Sequence, residues 1–239
     1  MNPAFEQETV GDIVATDFRA ARVFERFGID FCCGGRQSFP DACRAAGADP
    51  AAVSRELGAL PPPEEAEPDG EDVRDWPLPL LVDHIVSTHH AYVRVALPEI
   101  AHHLSTLVNV HGERHPELFR VSAAFDVLRH ELQQHMMKEE RVLFPYICEI
   151  ALAGGPTHAS PFGTIENPIR MMEREHRDAG DELHLIRELT NGFTAPPDGC
   201  ATYRAAFAEL ARFERDLHRH VHLENNILFP AAVALEQGT

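Results

Sequence analysis

Long apolar runs are missing from this 239-residue chain, because none approaches the roughly 18 residues that a transmembrane helix needs. The N-terminal stretch MNPAFEQETV is polar and acidic, whereas a secretory signal begins basic and continues apolar. Basic residues are also scarce: 21 Lys and Arg face 38 Asp and Glu, and the formal net charge is -17. Such a charge repels phosphate backbones and anionic membranes. We therefore expect a cytoplasmic protein that binds neither nucleic acid nor membranes.

Cysteine occurs only five times, and an odd number argues against a disulfide framework and for free thiols in a reducing compartment. Histidine, in contrast, occurs fifteen times. Imidazole is the commonest metal ligand in proteins. The spacing of these histidines therefore decides whether they form a metal site.

The stretch 61–75, PPPEEAEPDGEDVRD, combines three consecutive prolines with an acidic run and has almost nothing to pack into a core. We interpret it as an acidic, Pro-rich linker. It divides the chain into a small N-terminal domain at residues 1–60 and a larger domain at residues 76–239.

Helix signals dominate the small domain. Thr16 is expected to cap a helix through FRAARVFERF that ends near Gly28, and Asp49 with the proline after it is expected to begin another helix. About sixty residues build only a marginal core. We therefore expect this domain to dock on its neighbour or on another chain, and a homodimer stays open.

The larger domain contains four long stretches with helical periodicity, separated by turn-forming segments rich in Gly, Pro, Asn and Asp. No alternating β-branched pattern is present. Four helices with short connections predict an all-α fold with an up-down four-helix bundle. The stretches are approximately 77–110, 117–153, 167–190 and 198–234.

An internal repeat marks the second and fourth of these helices. His135 and Glu139, followed by ERVLFP, recur 85 positions later as His220 and Glu224, followed by NNILFP. Residues four apart stack on one helix face, so each pair can hold one metal centre. A single such pair is usually a surface contact, but two pairs with the same following sequence favour a metal site.

The repeat also extends upstream. His90 lies 45 residues before His135, and His176 lies 44 residues before His220. A bundle built from two such halves would gather four imidazoles and two carboxylates, which suits two metal ions bridged by the glutamates. Imidazole and carboxylate without thiolate favour iron or manganese over zinc, and we expect a di-iron centre.

His111 has no partner in the repeat. A straight helix places it roughly 31 Å from His90, so both can bind one centre only if the helix kinks, for example at Pro98, or ends early.

Adjacent thiols follow the first predicted helix in the sequence DFCCGG. A disulfide between neighbouring residues is strained and easily reduced, so Cys32 and Cys33 are candidates for a redox, transfer or transient metal role. The alternative is a small buried residue pair at a turn.

Together these motifs resemble the di-iron proteins for the repair of iron centres, in which a hemerythrin-like bundle follows a small domain with a vicinal cysteine pair. The resemblance covers nearly the whole chain. It implies that two glutamates bridge an oxo-bridged non-haem di-iron centre and that five histidines complete it. The implied bridges are Glu139 and Glu224, and the implied terminal ligands are His90, His111, His135, His176 and His220.

The resemblance further implies a role in restoring iron-sulfur clusters damaged by oxidative or nitrosative stress. Iron donation and reduction of nitric oxide to nitrous oxide are the two implied mechanisms, and neither can be inferred from spacing. The implied partners are damaged iron-sulfur proteins, an electron donor, and nitric oxide or dioxygen as small ligands. Cys32 and Cys33 are the candidate catalytic thiols.

Two other classes of function stay open. A hemerythrin-like dioxygen carrier or sensor would bind without turnover and would not need the cysteine pair. A ferritin-like oxidase would need a Glu-x2-His motif on each of two helices, and Glu173 with His176 resembles one of them.

Overall fold

The computed structural model describes residue 5, residues 7–60 and residues 73–238. These residues form helices and turns, with one isolated antiparallel bridge between Thr9 and Ser38. The predicted all-α fold is confirmed. Most of the predicted linker, residues 61–72, lies outside the described part. In the described part, no helix is both long and apolar enough to span a membrane.

The N-terminal domain contains short helices. They are α1 (Val10–Thr16), α2 (Ala20–Arg26), α3 (Phe39–Ala45) and α4 (Pro50–Gly58). Asp49 caps α4 by accepting a hydrogen bond from the N–H of Ala51 at 3.1 Å, and Gly28 has the expected positive φ of 65°. Thr16 does not cap α2, because it ends α1 and its hydroxyl donates to the carbonyl of Asp12.

The bundle follows the predicted helical stretches, but three of its four long helices contain a π-helical turn. Its elements are α5 (Leu78–His84), π1 (Ile85–His90), α6 (Ala91–His111), α7 (Glu117–Lys138), π2 (Glu139–Leu143), α8 (Phe144–Ala153), α9 (Glu166–Leu189), α10 (Ala201–Leu223), π3 (Glu224–Leu228) and α11 (Phe229–Gln237). Helix α6 lies against α7 and α10, α7 against α9, and α8 against α5 and α11.

Two of the π-turns precede the prolines of the repeat, Pro145 and Pro230. Proline lacks an N–H, and its ring clashes with the carbonyl four residues earlier. A wider turn just before the proline lets the helix continue. In these two turns, the carbonyls of Glu139 and Glu224 accept hydrogen bonds from the N–H groups five residues later, which is the hydrogen-bond pattern of a π-helix.

Buried apolar side chains form two clusters. The larger unites the N-terminal domain with helices α6, α7, α9 and α10, and the smaller fills the opposite end of the bundle around α5, α8 and α11. A buried polar layer crosses the bundle between them. It contains the six residues of the repeat, which we call the His-Glu layer: His90, His135, Glu139, His176, His220 and Glu224.

The N-terminal domain docks on its own bundle. Glu25 of α2 lies 3.3 Å from His218 Nδ1, and Arg36 pairs with Glu173 at 2.7 Å. Phe31 packs against the ring of His222 with centroids 6.0 Å apart. The small domain is expected to need a neighbour to complete its core, and that neighbour is the bundle of the same chain.

Candidate metal centre

Each residue of the His-Glu layer sits at or near a π-turn or on the helix facing one. His90 ends π1, Glu139 begins π2 and Glu224 begins π3. The other three histidines lie in regular helix: His135 on α7, His176 on α9 and His220 on α10. π-Turns are frequent at functional sites because they shift the side chains around the helix axis.

The six side chains form two groups of four that share both glutamates. His90 and His220 form the first group with Glu139 and Glu224, and His135 and His176 form the second with the same two carboxylates. Within each group, one ligand atom per residue lies within 4.8 Å of all the others. Each group could therefore hold a metal ion with two imidazoles and two carboxylates.

The carboxylates reach both sides of the layer. Glu139 Oε2 lies 3.4 Å from His90 Nε2, and its Oε1 lies 3.2 Å from His135 Nε2. Glu224 Oε1 lies 2.9 Å from His220 Nε2, and its Oε2 lies 3.0 Å from His176 Nε2. Each glutamate therefore points one oxygen at each histidine pair.

The hydrogen bonds at the outer nitrogens fix which imidazole nitrogens can bind a metal. The Nδ1–H groups of His90, His135 and His176 donate to Glu140 at 2.6 Å, to Glu175 at 3.0 Å and to the Asn225 amide oxygen at 2.9 Å. Carboxylate and amide oxygens only accept, so Nε2 of each neutral ring carries a lone pair directed inward.

The Nε2 atoms of the four histidines meet in the layer. His90 Nε2 lies 3.1 Å from His220 Nε2, and His135 Nε2 lies 3.0 Å from His176 Nε2. Both oxygens of Glu139 and Oε2 of Glu224 are buried without a hydrogen-bond partner among the described residues. When the rings are neutral, the inward nitrogens and the unpartnered carboxylate oxygens repel one another, and cations between them, either protons or metal ions, remove that repulsion. The residues thus fit a pair of metal ions.

The pKa shifts of Glu224 and His135 also indicate that the layer favours bound cations. Burial raises the pKa of Glu224, but His220 and His176 outweigh it and hold that pKa well below its usual range. Burial lowers the pKa of His135, whereas Glu139 and Glu175 raise it, and the result is about 10. The layer therefore keeps its carboxylates ionised and strongly attracts positive charge, which protons or metal ions can supply.

His111 does not join this layer, contrary to the expectation from the resemblance. Helix α6 runs unbroken from Ala91 to His111 despite Pro98, so the two ends stay far apart. His111 Nε2 instead lies 3.3 Å from Cys200 Sγ, and Arg114 donates to its Nδ1 at 3.4 Å.

Several other histidines are buried for reasons that the sequence pattern did not reveal. His89 stacks on His220 with centroids 5.7 Å apart, and its Nδ1 bonds Asp216 at 3.0 Å. His218 and His222 face away from the layer, as the helix geometry predicts, and contact the N-terminal domain. The sequence offers one indirect signal for His218 and His222. The small domain has too few residues for a core of its own, so some residues of the bundle are expected to pack against it.

Cys32 and Cys33 lie in the loop after α2, close to the His-Glu layer. Cys32 is buried, Cys33 is half-buried, and both are free thiols. Their N–H groups donate to the Asp30 carboxylate at 3.1 and 2.9 Å. Both thiols and His176 line the same cleft, of about 490 Å³. The neighbouring Cys33 thiol and burial raise the pKa of Cys32, so this thiol is protonated near neutral pH.

Comparisons with known proteins match both parts of the chain. Residues 6–61 match a domain of unknown function (DUF542), and residues 81–232 match the hemerythrin HHE cation binding domain. The iron-sulfur cluster repair protein YtfE of Musicola paradisiaca is 36% identical over 232 residues, which are 96% of this chain and 97% of that protein. The proteins of the same name from Citrobacter koseri and Cronobacter sakazakii are 34% and 35% identical over 98% of this chain and their full length.

Proposed function

Because this chain belongs to the family of iron-sulfur cluster repair proteins that join a DUF542 domain to a hemerythrin HHE domain, we propose that it repairs damaged iron-sulfur clusters by means of a di-iron centre. The damage in question is that caused by oxidative or nitrosative stress. The domain boundaries and the cytoplasmic location expected from the sequence stay predictions.

The observation that carries the proposal is the buried His-Glu layer with its two shared carboxylates. In this proposal, His90 and His220 would hold one iron, His135 and His176 would hold the other, and Glu139 and Glu224 would serve both sites. Bound iron would supply one-electron redox chemistry and a releasable metal. Carboxylates are hard anions and hold ferric iron better than ferrous iron, so reduction should loosen the site.

The cysteine pair supports a transfer or redox role beside the metal layer. Cys32 and Cys33 line the same cleft as His176, so the thiols lie on that side of the layer. Thiolates are soft ligands that bind ferrous iron well, so a cysteine of this pair would release its proton on binding the metal. We propose these two residues as the thiols that act in repair, with damaged iron-sulfur proteins as recipients.

Two chemistries are compatible with this site. In iron donation, the irons are cargo that leaves on reduction. In nitric oxide reduction, two molecules of nitric oxide, two electrons and two protons give nitrous oxide and water, so an electron donor is required. Equal resistance of the oxidised and reduced protein to an iron chelator would contradict the donation model.

A repair assay tests the function directly. The iron-loaded protein is added to an iron-sulfur enzyme inactivated by nitric oxide, and the recovery of that enzyme's activity is followed. We expect recovery with the wild-type protein and none with the double variant Glu139→Gln and Glu224→Gln. The variant His111→Phe is the matched control, because it removes a histidine outside the layer and should support full recovery.

A hemerythrin-like protein that binds or senses dioxygen without turnover is the second candidate. It is favoured by one observation, the burial and raised pKa of Cys32, which make that thiol a weak nucleophile. Replacing both cysteines with Ser separates the two functions. Loss of recovery supports repair through the thiols, and unchanged recovery with reversible dioxygen binding supports the carrier or sensor.

A further inference from the structure

The internal repeat breaks at the residue after each shared glutamate. Glu140 follows Glu139, and Asn225 follows Glu224 at the equivalent position 85 residues later. Both accept a hydrogen bond from the outer nitrogen of a layer histidine: His90 donates to Glu140, and His176 donates to Asn225. The two halves therefore use the same position for the same contact, with a carboxylate in one and an amide in the other.

The amide makes a contact that a carboxylate cannot make. Asn225 Oδ1 accepts from His176 Nδ1–H at 2.9 Å, and Asn225 Nδ2 donates to the carbonyl oxygen of Cys32 at 3.3 Å. The Glu140 carboxylate has no N–H to donate and instead accepts from Arg94 on the bundle surface. Asn225 is 5% exposed, so solvent does not replace either bond. It is thus a buried bridge between the loop of the cysteine pair and a layer histidine.

The next residue fastens the same loop without touching the layer. Asn226 Nδ2 donates to the carbonyl oxygens of Phe31 and Cys32 at 3.2 and 3.1 Å. Gly35 lies so close that a Cβ there would be 2.2 Å from Asn226 Oδ1, which explains a glycine at this point of the loop. Asn225 therefore contacts both the cysteine loop and a layer histidine, whereas Asn226 contacts the cysteine loop and no histidine of the layer.

The other layer histidines are not connected to the N-terminal domain in this way. His90 and His135 are backed by Glu140 and Glu175, and Nδ1 of His220 is buried without a partner among the residues that the structure describes. The contact through Asn225 therefore singles out the His135 and His176 half of the layer.

We propose that Asn225 is a positioning residue that couples the Cys32 and Cys33 loop to His176, so that the metal site held by His135 and His176 exchanges its metal with the thiol pair. The inference rests on the proposed di-iron function. Asn225 holds the imidazole plane and its inward lone pair on one side and the cysteine backbone on the other. Loss of its bond to His176 or of its bond to the Cys32 carbonyl therefore disturbs both the metal site and the cysteine loop.

The test compares matched variants in two measurements. The first is the rate of ferrous iron release from the loaded protein into a chelator. The second is the rate at which maleimide labels Cys32 and Cys33 in the iron-free protein. Partners of metal-bound histidines typically contribute a factor of about 10 to 100 in metal affinity. We expect Asn225→Ala to accelerate iron release by about that factor and also to accelerate labelling.

Two control variants separate the contacts. Asn226→Ala removes the loop contacts and a contact with His222 Nδ1, which lies outside the layer, so it should accelerate labelling and leave iron release near the wild-type rate. Glu140→Gln changes only the His90 side, so it should alter iron release and the Mössbauer spectrum without changing labelling. Asn225→Asp keeps the shape and the acceptor for His176 but loses the donor to Cys32. It should accelerate labelling with a smaller effect on iron release, and it replaces Asn225→Ala if that variant unfolds.

The outcomes decide between coupling and two simpler roles. If Asn225→Ala changes both measurements, the coupling stands. If it changes only iron release, only labelling, or neither, the proposal is overturned, because the residue then serves one site or none. Failure of the wild-type protein to bind iron would refute the proposed function instead, and the labelling of iron-free protein would still report on the loop contact.

Discussion

Replacing His111 with Phe should change the chemistry of Cys200 and leave the metal layer intact. Cys200 is exposed at the start of α10, and its Sγ lies 3.3 Å from His111 Nε2. The hydrogen bond from His111, followed by backbone N–H groups of Tyr203 and Thr202, lowers the pKa of Cys200 from 9.0 to about 7. Phenylalanine fills the same buried space but cannot donate a hydrogen bond.

The size and sign of the effect follow from this pKa. At pH 7 about half of the wild-type thiol is ionised, against about 1% of a thiol with the ordinary pKa, which is a ratio of about 50. A thiolate of lower pKa is also the weaker nucleophile, by a factor of about 8 for this shift. The Tyr203 and Thr202 N–H groups still lower the pKa of Cys200 in the variant, so wild-type Cys200 should react faster than Cys200 of the variant at pH 7 by a factor of up to about six.

The order should reverse at high pH. Near pH 10 both thiols are ionised, and the variant then carries the stronger nucleophile, so it should react faster by up to a similar factor. The assay is iodoacetamide labelling of the Cys200 peptide, followed by mass spectrometry from pH 6 to 10. Identical pH profiles would refute the thiol-imidazole pair, and loss of bound iron in His111→Phe would refute the assignment of His111 to the far end of α6.

Further substitutions test the packing around the site. Gly35→Ala should loosen the cysteine loop because its Cβ meets Asn226 Oδ1, and the check is faster proteolysis of that loop with an unchanged circular dichroism spectrum. Arg187→Leu should destabilise the fold by about 3 kcal/mol in urea unfolding, because it leaves the buried carboxylate of Glu214 unpaired. Phe125→Ala should lower stability by about 3 to 5 kcal/mol through a cavity, and equal urea midpoints would contradict either stability prediction.

The sequence predicts the layer well because its spacing is helical. His135 with Glu139 and His220 with Glu224 lie four residues apart, and helix periodicity alone places each pair on one face. The matching distances to His90 and His176 then bring the two hairpins into register. The four bundle helices follow from the same periodicity and from the turn residues between them.

Other features depend on contacts between segments distant in sequence. The π-turns are signalled only weakly, by Pro145 and Pro230, since proline inside a helical pattern usually indicates a kink or an end. His111 was grouped with the layer through family resemblance, whereas the length of α6 separates it from His90. The roles of His222 and Asn225 appear only once the N-terminal domain is docked, because their contacts lie in the cysteine loop.

The central claim is that the His-Glu layer holds two iron ions. The most direct test is iron content together with Mössbauer spectroscopy of protein purified from iron-replete cells. We expect about two coupled ferric ions per chain in the wild-type protein, one for each group of four ligands, and their loss when Glu139 and Glu224 are both replaced with Gln. Zinc, a single metal ion or no metal in the wild-type protein would contradict it.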